Sequence, residues 1–247
     1  VPPPSVSFSA SLPEGWLVPQ WPAPPWVGAV MSSRAGGVSL PPYNSMNLGD
    51  HVQDDLAAVA DNRQILQGLI RAQPVYLQQV HETDAVYLHA DASAANSIRA
   101  DACYTQASGL ACTIQTADCL PVLLCHAESR IVGAAHAGWR SLAGRQGQGV
   151  LEVLLQAMRT QCPQADTAGW LAWLGPCIGP KAFEVGEEVR AAFLQTDAQA
   201  ANCFAPASNT CKWLADLAGL ARQRLAALGV HAVFGNDGSS GWCTFSQ

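Results

Sequence analysis

The sequence predicts an α/β fold, a single-domain α/β sandwich on a mixed β-sheet, and three observations carry that expectation. Apolar residues make up 49% of the 247 and charged residues 13%, enough for one sizeable core. Short β-runs separated by turn residues fill the middle of the chain. Amphipathic helices flank that block without the strict βαβ alternation of an all-parallel sheet. Neither an internal repeat nor a linker divides residues 1–247, so one domain is expected.

The first thirty residues are rich in Pro and Trp. Prolines at that density forbid a helix and predict an extended lead-in reaching a strand at Val27–Met31. Ser32–Asp50 is a Gly/Pro/Ser/Asn loop carrying Arg34 and Asn47. Leu56, Val59, Ile65, Leu66 and Ile70 recur with a period near 3.6, which predicts a helix with Asp54 or Asp55 as its N-cap. "PVYLQQVHETDAVYLHA" reads as two strands, and the stretch from Ala100 to Trp139 as a series of β-runs. Helical spacing returns over Gln148–Arg159. "GWLAWLGPCIG" is a buried strand entering a Gly/Pro loop, and "GEEVRAAFLQ" is a helix. "CKWLADLAGLARQRLAALG" reads as one helix closed by Gly229 at C′, and "VHAVFG" as a last strand.

Composition excludes several classes of partner. The formal net charge is −6 with no run of Lys or Arg, so nucleic-acid binding lacks its electrostatic footprint. An anionic small substrate needs a local group of arginines instead. No apolar run reaches the ~18 residues of a membrane span, and the start shows no basic-then-apolar leader. Nine cysteines without a CxxC pair, in a chain too large to need disulfide staples, point to reduced thiols and a cytoplasmic protein. Nothing in the pattern defines an oligomeric state.

Chemistry concentrates in "TADCLPVLLCHAESRIVGAAHAGWR", Thr116–Arg140. If its two β-runs form a hairpin, loop length decides where Cys119 and His136 meet. A two-residue loop at Glu128-Ser129 sets Cys119 opposite Gly138 with His136 as diagonal neighbour. A four-residue loop sets Cys119 opposite His136, and a three-residue loop puts the two on opposite faces. Cys119 and His136 then form either a nucleophile–base pair or two ligands of one metal ion. His81, where a β-run meets a Thr-Asp turn, supplies a third donor. One Cys and two His suit Zn²⁺ and leave the fourth position open, although separations of 38 and 17 residues are not a zinc-finger pattern. Arg34 and Arg140 are the candidates for an anion. Asp118 is a candidate for orienting a ligand. Cys125 and Cys177 read as structural.

"NLGDHVQDDLAAVADNRQIL", "QVHETDAV", "TADCLPVLL", "AAHAGWRSLAGRQGQGVLE" and "WLGPCIGPKAFEVGEEV" resemble, in order, the blocks of the YfiH family. That family is also called the laccase-domain or multicopper polyphenol oxidoreductase family, and a purine nucleoside phosphorylase family. The resemblance covers nearly the whole chain. It implies an α/β fold shared with CNF-type bacterial toxins and one zinc ion held by His81, Cys119 and His136. It places Arg34 and Asn47 in the same pocket. It further implies phosphorolysis of adenosine, inosine, guanosine and methylthioadenosine, with adenosine deaminase activity beside it. The small-molecule partners are then a purine nucleoside and phosphate. Alternatives are a peptidoglycan-precursor editing amidase and a copper-dependent, laccase-like polyphenol oxidase. Blue multicopper chemistry demands about ten or more histidines, many in His-x-His pairs. Six histidines and no such pair leave room for Cu²⁺ only as a single ion. Two departures from the family stand out: Glu82 replaces a small residue, and an arginine-bearing C-terminal segment of the family is expected to be absent after "CTFSQ".

Overall fold

A six-stranded mixed sheet organises the chain, in a computed structural model that describes residues 11–92, 98–208 and 211–246. Its strands run in the order β11 (Ala232–Gly235), β7 (Trp170–Leu174), β5 (Leu120–His126), β6 (Val132–Ala137), β3 (Ala102–Thr105), β2 (Ala85–Tyr87). The two edge pairings are parallel and the three central ones antiparallel. Two small sheets accompany it. One is the parallel pair β1 (Gln73–Val75) with β4 (Leu110–Cys112). The other is antiparallel, β8 (Glu184–Gly186), β10 (Lys212–Ala215) and β9 (Phe204–Pro206). The mixed α/β architecture is the expected one.

Strand parity divides the chemistry from the main core. Side chains of a strand alternate between faces. Leu120, Val122 and Leu124 of β5, with Ala135 and Ala137 of β6, pack against Leu142 of α2 (Trp139–Ala143). They also meet Leu151, Leu154, Leu155 and Met158 of α3 (Val150–Gln161) and Leu220 and Leu225 of α5 (Leu217–Ala227). Each fully buried Leu contributes ~1.5–3 kcal/mol through the water it sheds. His136 lies between Ala135 and Ala137, so it projects from the opposite face. On that face Cys103 packs with Leu110 and Cys112 of the small parallel sheet.

Register fixes the rest. Pro121 pairs with His136 and Leu120 with Ala137. Continuing that register puts Cys119 opposite Gly138 and leaves Glu128-Ser129 as the loop, which is the two-residue alternative. Helix α1 (Leu56–Ile70) begins at Asp55, whose carboxylate accepts from the Ala57 N–H at 2.8 Å. α4 spans Glu187–Leu194, and Gly229 follows the cap of α5 with φ +79°.

Two expectations are corrected, and one lies partly beyond view. Val27–Met31 forms no strand: Met31 makes a single bridge to Leu17, with N···O distances of 2.9 and 2.8 Å. Prolines 19, 22, 24 and 25 interrupt the approach and remove the donors that a longer ladder needs. Lys212–Ala215 is strand β10, and the helix starts only after Asp216, whose carboxylate accepts from the Gly219 N–H at 2.9 Å. That cap offers the helix a definite beginning. Residues 212–215 gain ladder partners on both sides instead. The first ten residues of the expected lead-in lie outside the described part. No helix among the described residues is long and apolar enough to cross a membrane, and all nine thiols are free.

Candidate metal centre

His81, Cys119 and His136 come together on the face of the sheet away from α3, each offering one donor atom, all within 4.8 Å of one another. Cys119 Sγ is 3.9 Å from His81 Nε2, and the two imidazole rings meet edge-on with centroids 4.6 Å apart. Bonds of about 2.0–2.1 Å to nitrogen and 2.3 Å to sulfur place the ligand atoms of a tetrahedral zinc roughly 3.3–3.8 Å apart. The trio stands close to that spacing. His136 is buried, Cys119 half-buried and His81 exposed, so the group opens to solvent on the His81 side. Gly138 makes the approach possible. A Cβ there would lie 2.9 Å from Cys119 Sγ and 3.2 Å from His81 Cδ2.

A residue that the sequence reading missed, Asp101, lies directly behind the trio with no solvent exposure. It precedes β3 and pairs with β6, its carbonyl accepting from the His136 N–H at 2.7 Å. Its Oδ1 accepts from His136 Nδ1 at 2.8 Å and from the His81 N–H at 2.9 Å. Its Oδ2 accepts from the Val80 and Glu82 N–H groups at 3.1 and 2.8 Å. His81 itself adopts φ +60°, a left-handed conformation uncommon for a non-glycine residue. The only sequence sign of Asp101 is an acidic residue leading an otherwise apolar β-run.

These contacts set the protonation chemistry. Burial pulls His136 down, but hydrogen bonds to Asp101 and Cys119, and their charges, outweigh it and raise the pKa to about 9. Burial first, and then the charge of His136, hold His81 below its ordinary 6.5. Burial pushes the Asp101 carboxyl up, yet the His136 bond and the three backbone N–H bonds bring it below 3.8. With Nδ1–H of His136 directed at a carboxylate, Nε2 is the nitrogen left to bind a metal. The donor set fits one borderline-soft ion with an open position.

Other braces join the loops. Gln79 Nε2 donates to the Gln115 carbonyl at 2.8 Å, and the Gln115 N–H returns a bond to Gln79 Oε1 at 2.8 Å. This pair ties the His81 loop to the approach to Cys119. Asp118 does not orient a ligand: its carboxylate accepts from Thr244 Oγ1 at 2.6 Å, and Asp101 holds that place instead. Arg140 is exposed, lies over the Trp139 ring at 4.6 Å, and has no carboxylate partner among the described residues. Among the described residues, Arg34 and Asn47 make their hydrogen bonds within their own loop and its neighbours. Arg34 donates to the Asn44 carbonyl at 2.8 Å, and Asn47 to Asp54 at 2.9 Å. Their loop hangs on the buried Asn62, which donates to Ser39, Ser45 and Asn47 and accepts from Val38. The loop still approaches the site's flank. Met31 and Pro121 both crowd the position a Cβ would take on Gly175, and Arg34 follows Met31 by three residues, within about 10 Å of chain. Glu82 pairs with Arg99 at 2.8 Å on the surface. Burial raises Cys125 and Cys177 to about 12, as suits inert structural thiols.

An α/β protein with one Cys and two His grouped so that they could hold a metal ion is thus the class that fold and site define. The profile of a family described as multi-copper polyphenol oxidoreductase laccase matches residues 28–247. A purine nucleoside phosphorylase of Pseudomonas aeruginosa is 46% identical over 94% of this chain and 89% of its own. The purine nucleoside phosphorylase YfiH of Escherichia coli is 47% identical over the same shares. A crystal structure from Neisseria meningitidis superposes with a TM-score of 0.83 at 41% identity, covering 94% of this chain and 89% of that one. That of YlmD from Geobacillus stearothermophilus gives 0.75 at 26% identity, covering 98% and 90%. The chain belongs to this family, the YfiH family that its motifs resemble.

Gly138→Ala tests the crowding at the trio. Gly138 has φ −65° and ψ 162°, which Ala adopts freely, so the added Cβ acts on the Cys119 thiol rather than on the backbone. The metal-free variant is expected to unfold within a few degrees of the parent while metal affinity drops at least about tenfold; equal affinity in a chelator titration contradicts this. The pH response has a definite sign. The folded-state pKa of His136, about 9, lies above its ordinary 6.5. Its contribution to metal-free stability is therefore complete below about pH 6.5 and is lost as pH rises through about 9. Urea unfolding from pH 6 to 10 should show that decline in the parent and not in His136→Asn.

Proposed function

We propose that the chain is a zinc-dependent purine nucleoside phosphorylase in which His81, Cys119 and His136 hold one Zn²⁺. The observation that carries this reading is the convergence of three donors with an open, solvent-facing side near Arg140, which has no carboxylate partner among the described residues. Relatives 46–47% identical over 94% of the chain are named purine nucleoside phosphorylases, which supports the same activity here. Zinc in that position supplies Lewis acidity beside the bound nucleoside. Arg140, with no carboxylate partner among the described residues, offers its planar fork to phosphate, and Arg34 adds a second cation from the neighbouring loop. Asn47 supports the nucleoside side of the pocket. A phosphate oxygen forms the bond to ribose C1′ as the C1′–N9 bond breaks. The purine leaves with the bonding pair and takes up a proton, and ribose 1-phosphate remains.

Adenosine, inosine, guanosine and methylthioadenosine are the proposed substrates, with deamination of adenosine as a second activity. Cys119 acts as a ligand before it acts as a nucleophile: its sulfur faces two imidazole donors, and one ion satisfies all three. Single-ion chemistry also suits the histidine supply. His126 is engaged at the hairpin tip, Nδ1 accepting from the Glu128 and Ser129 N–H groups at 3.2 and 3.1 Å, so it is not available to a multinuclear cluster. Purified protein is expected to carry about one zinc per chain and to release adenine and ribose 1-phosphate from adenosine and phosphate. Cys119→Ala and His81→Ala should lose both zinc and turnover. Turnover that persists without metal, or no product above the Cys119→Ala background, would overturn the reading.

A further inference from the structure

Two of the three donors sit on segments far apart in sequence, yet one carboxylate holds both. Asp101 grips His136 through its ring N–H. It also grips the loop of His81 through three consecutive backbone N–H groups. Those three amides form a concave nest around the carboxylate, which is how His81 comes to be held at φ +60°. Every lone-pair direction that Asp101 uses is directed at the ligand set. Among the described residues its only other bonds are backbone ones: the N–H to Asp84 O at 3.1 Å and the carbonyl to the His136 N–H at 2.7 Å.

We propose that Asp101 is the positioning residue that assembles the metal centre before the ion arrives. It fixes the position of the His81 loop and the Nε2-ligating tautomer of His136 with a single buried carboxylate. The proposal rests on the reading of the trio as a metal centre, and extends it to a residue that touches neither metal nor substrate. Asparagine shows why a carboxylate is required. The two Asp101 oxygens face only donors: His136 Nδ1–H and the His81 N–H on one, the Val80 and Glu82 N–H groups on the other. An amide presents one acceptor and one NH₂. Turned one way, its NH₂ opposes Val80 and Glu82 and releases the His81 loop. Turned the other way, it opposes His136 and drives that ring to the Nε2–H tautomer, which cannot ligate through Nε2.

Chelator competition on the full chain tests this, with zinc as the probe. Asp101→Asn is expected to bind zinc ~10–100-fold more weakly than the wild type. Leu154→Ala, which opens the main core away from the site, should destabilise the protein and keep wild-type zinc affinity. Nitrogen-15 spectra of the zinc-loaded wild type should show His136 protonated at Nδ1, and Asp101→Asn should lose that signal. If Asp101→Asn does not fold, hydrogen exchange in the metal-free wild type decides. Slow exchange at the Val80, His81 and Glu82 amides supports a preassembled site, and loop-like fast exchange overturns it. Wild-type affinity in Asp101→Asn, or an equal loss in Leu154→Ala, overturns the positioning role and leaves the proposed function standing. Failure of the wild type to bind zinc overturns the metal centre itself.

Discussion

A carboxylate without solvent contact must draw all its hydrogen bonds from the protein, and Asp101 draws four of them from two distant pieces of chain. An unpaired buried charge costs several kcal/mol, so the fold is committed to bringing those donors in. The same bonds that compensate the burial hold His81 in a left-handed conformation and direct the ring of His136. Stability and site geometry are therefore one constraint. The loop that carries His81 has no sheet partner of its own at residues 79–82, and Asp101 substitutes for one. The Gln79–Gln115 pair closes the arrangement by connecting that loop to the chain leading into Cys119.

The sheet supplies the remaining order. β5 and β6 bury one face against α2, α3 and α5, so the register of that hairpin cannot slip by one residue without turning Leu120, Val122 and Leu124 out of the core. With register fixed, Cys119 faces Gly138, and His136 emerges on the same side as Cys119. Small residues keep that side open: the missing side chain at Gly138 is the space into which the thiol and the His81 ring fit. Two arginines lie beyond the sheet. Arg140 stands on the first turn of α2 immediately after Gly138, and Arg34 sits on a loop that Asn62 suspends from α1.

Much of this was legible in the residue pattern. The period of α1, the Asp55 cap, the alternation of the central β-runs and the Gly229 stop are local signals, and each appears in the fold. Hairpin arithmetic left three loop lengths open, two of which put Cys119 and His136 on one face, and the two-residue loop is the one found. What escaped depends on partners far away in sequence. Lys212–Ala215 has helical periodicity, but β8 and β9 claim it as a strand, and the Asp216 cap moves the helix start to Leu217. Val27–Met31 has strand composition but, among the described residues, no strand pairing beyond the bridge to Leu17. Asp101 gave no spacing signal because its partners lie some 20 and 35 positions along the chain, and Asp118, closer to Cys119 in sequence, was the more visible carboxylate. Sequence proximity favoured Asp118; the antiparallel pairing of β3 with β6 favours Asp101.

X-ray absorption at the zinc edge of the loaded protein tests the central claim most directly. A centre built from His81, Cys119 and His136 predicts a first shell with one sulfur at about 2.3 Å and nitrogen or oxygen neighbours at about 2.0–2.1 Å. The sulfur contribution should vanish in Cys119→Ser. A shell of light atoms alone in the wild type, or a sulfur signal that survives Cys119→Ser, contradicts the account.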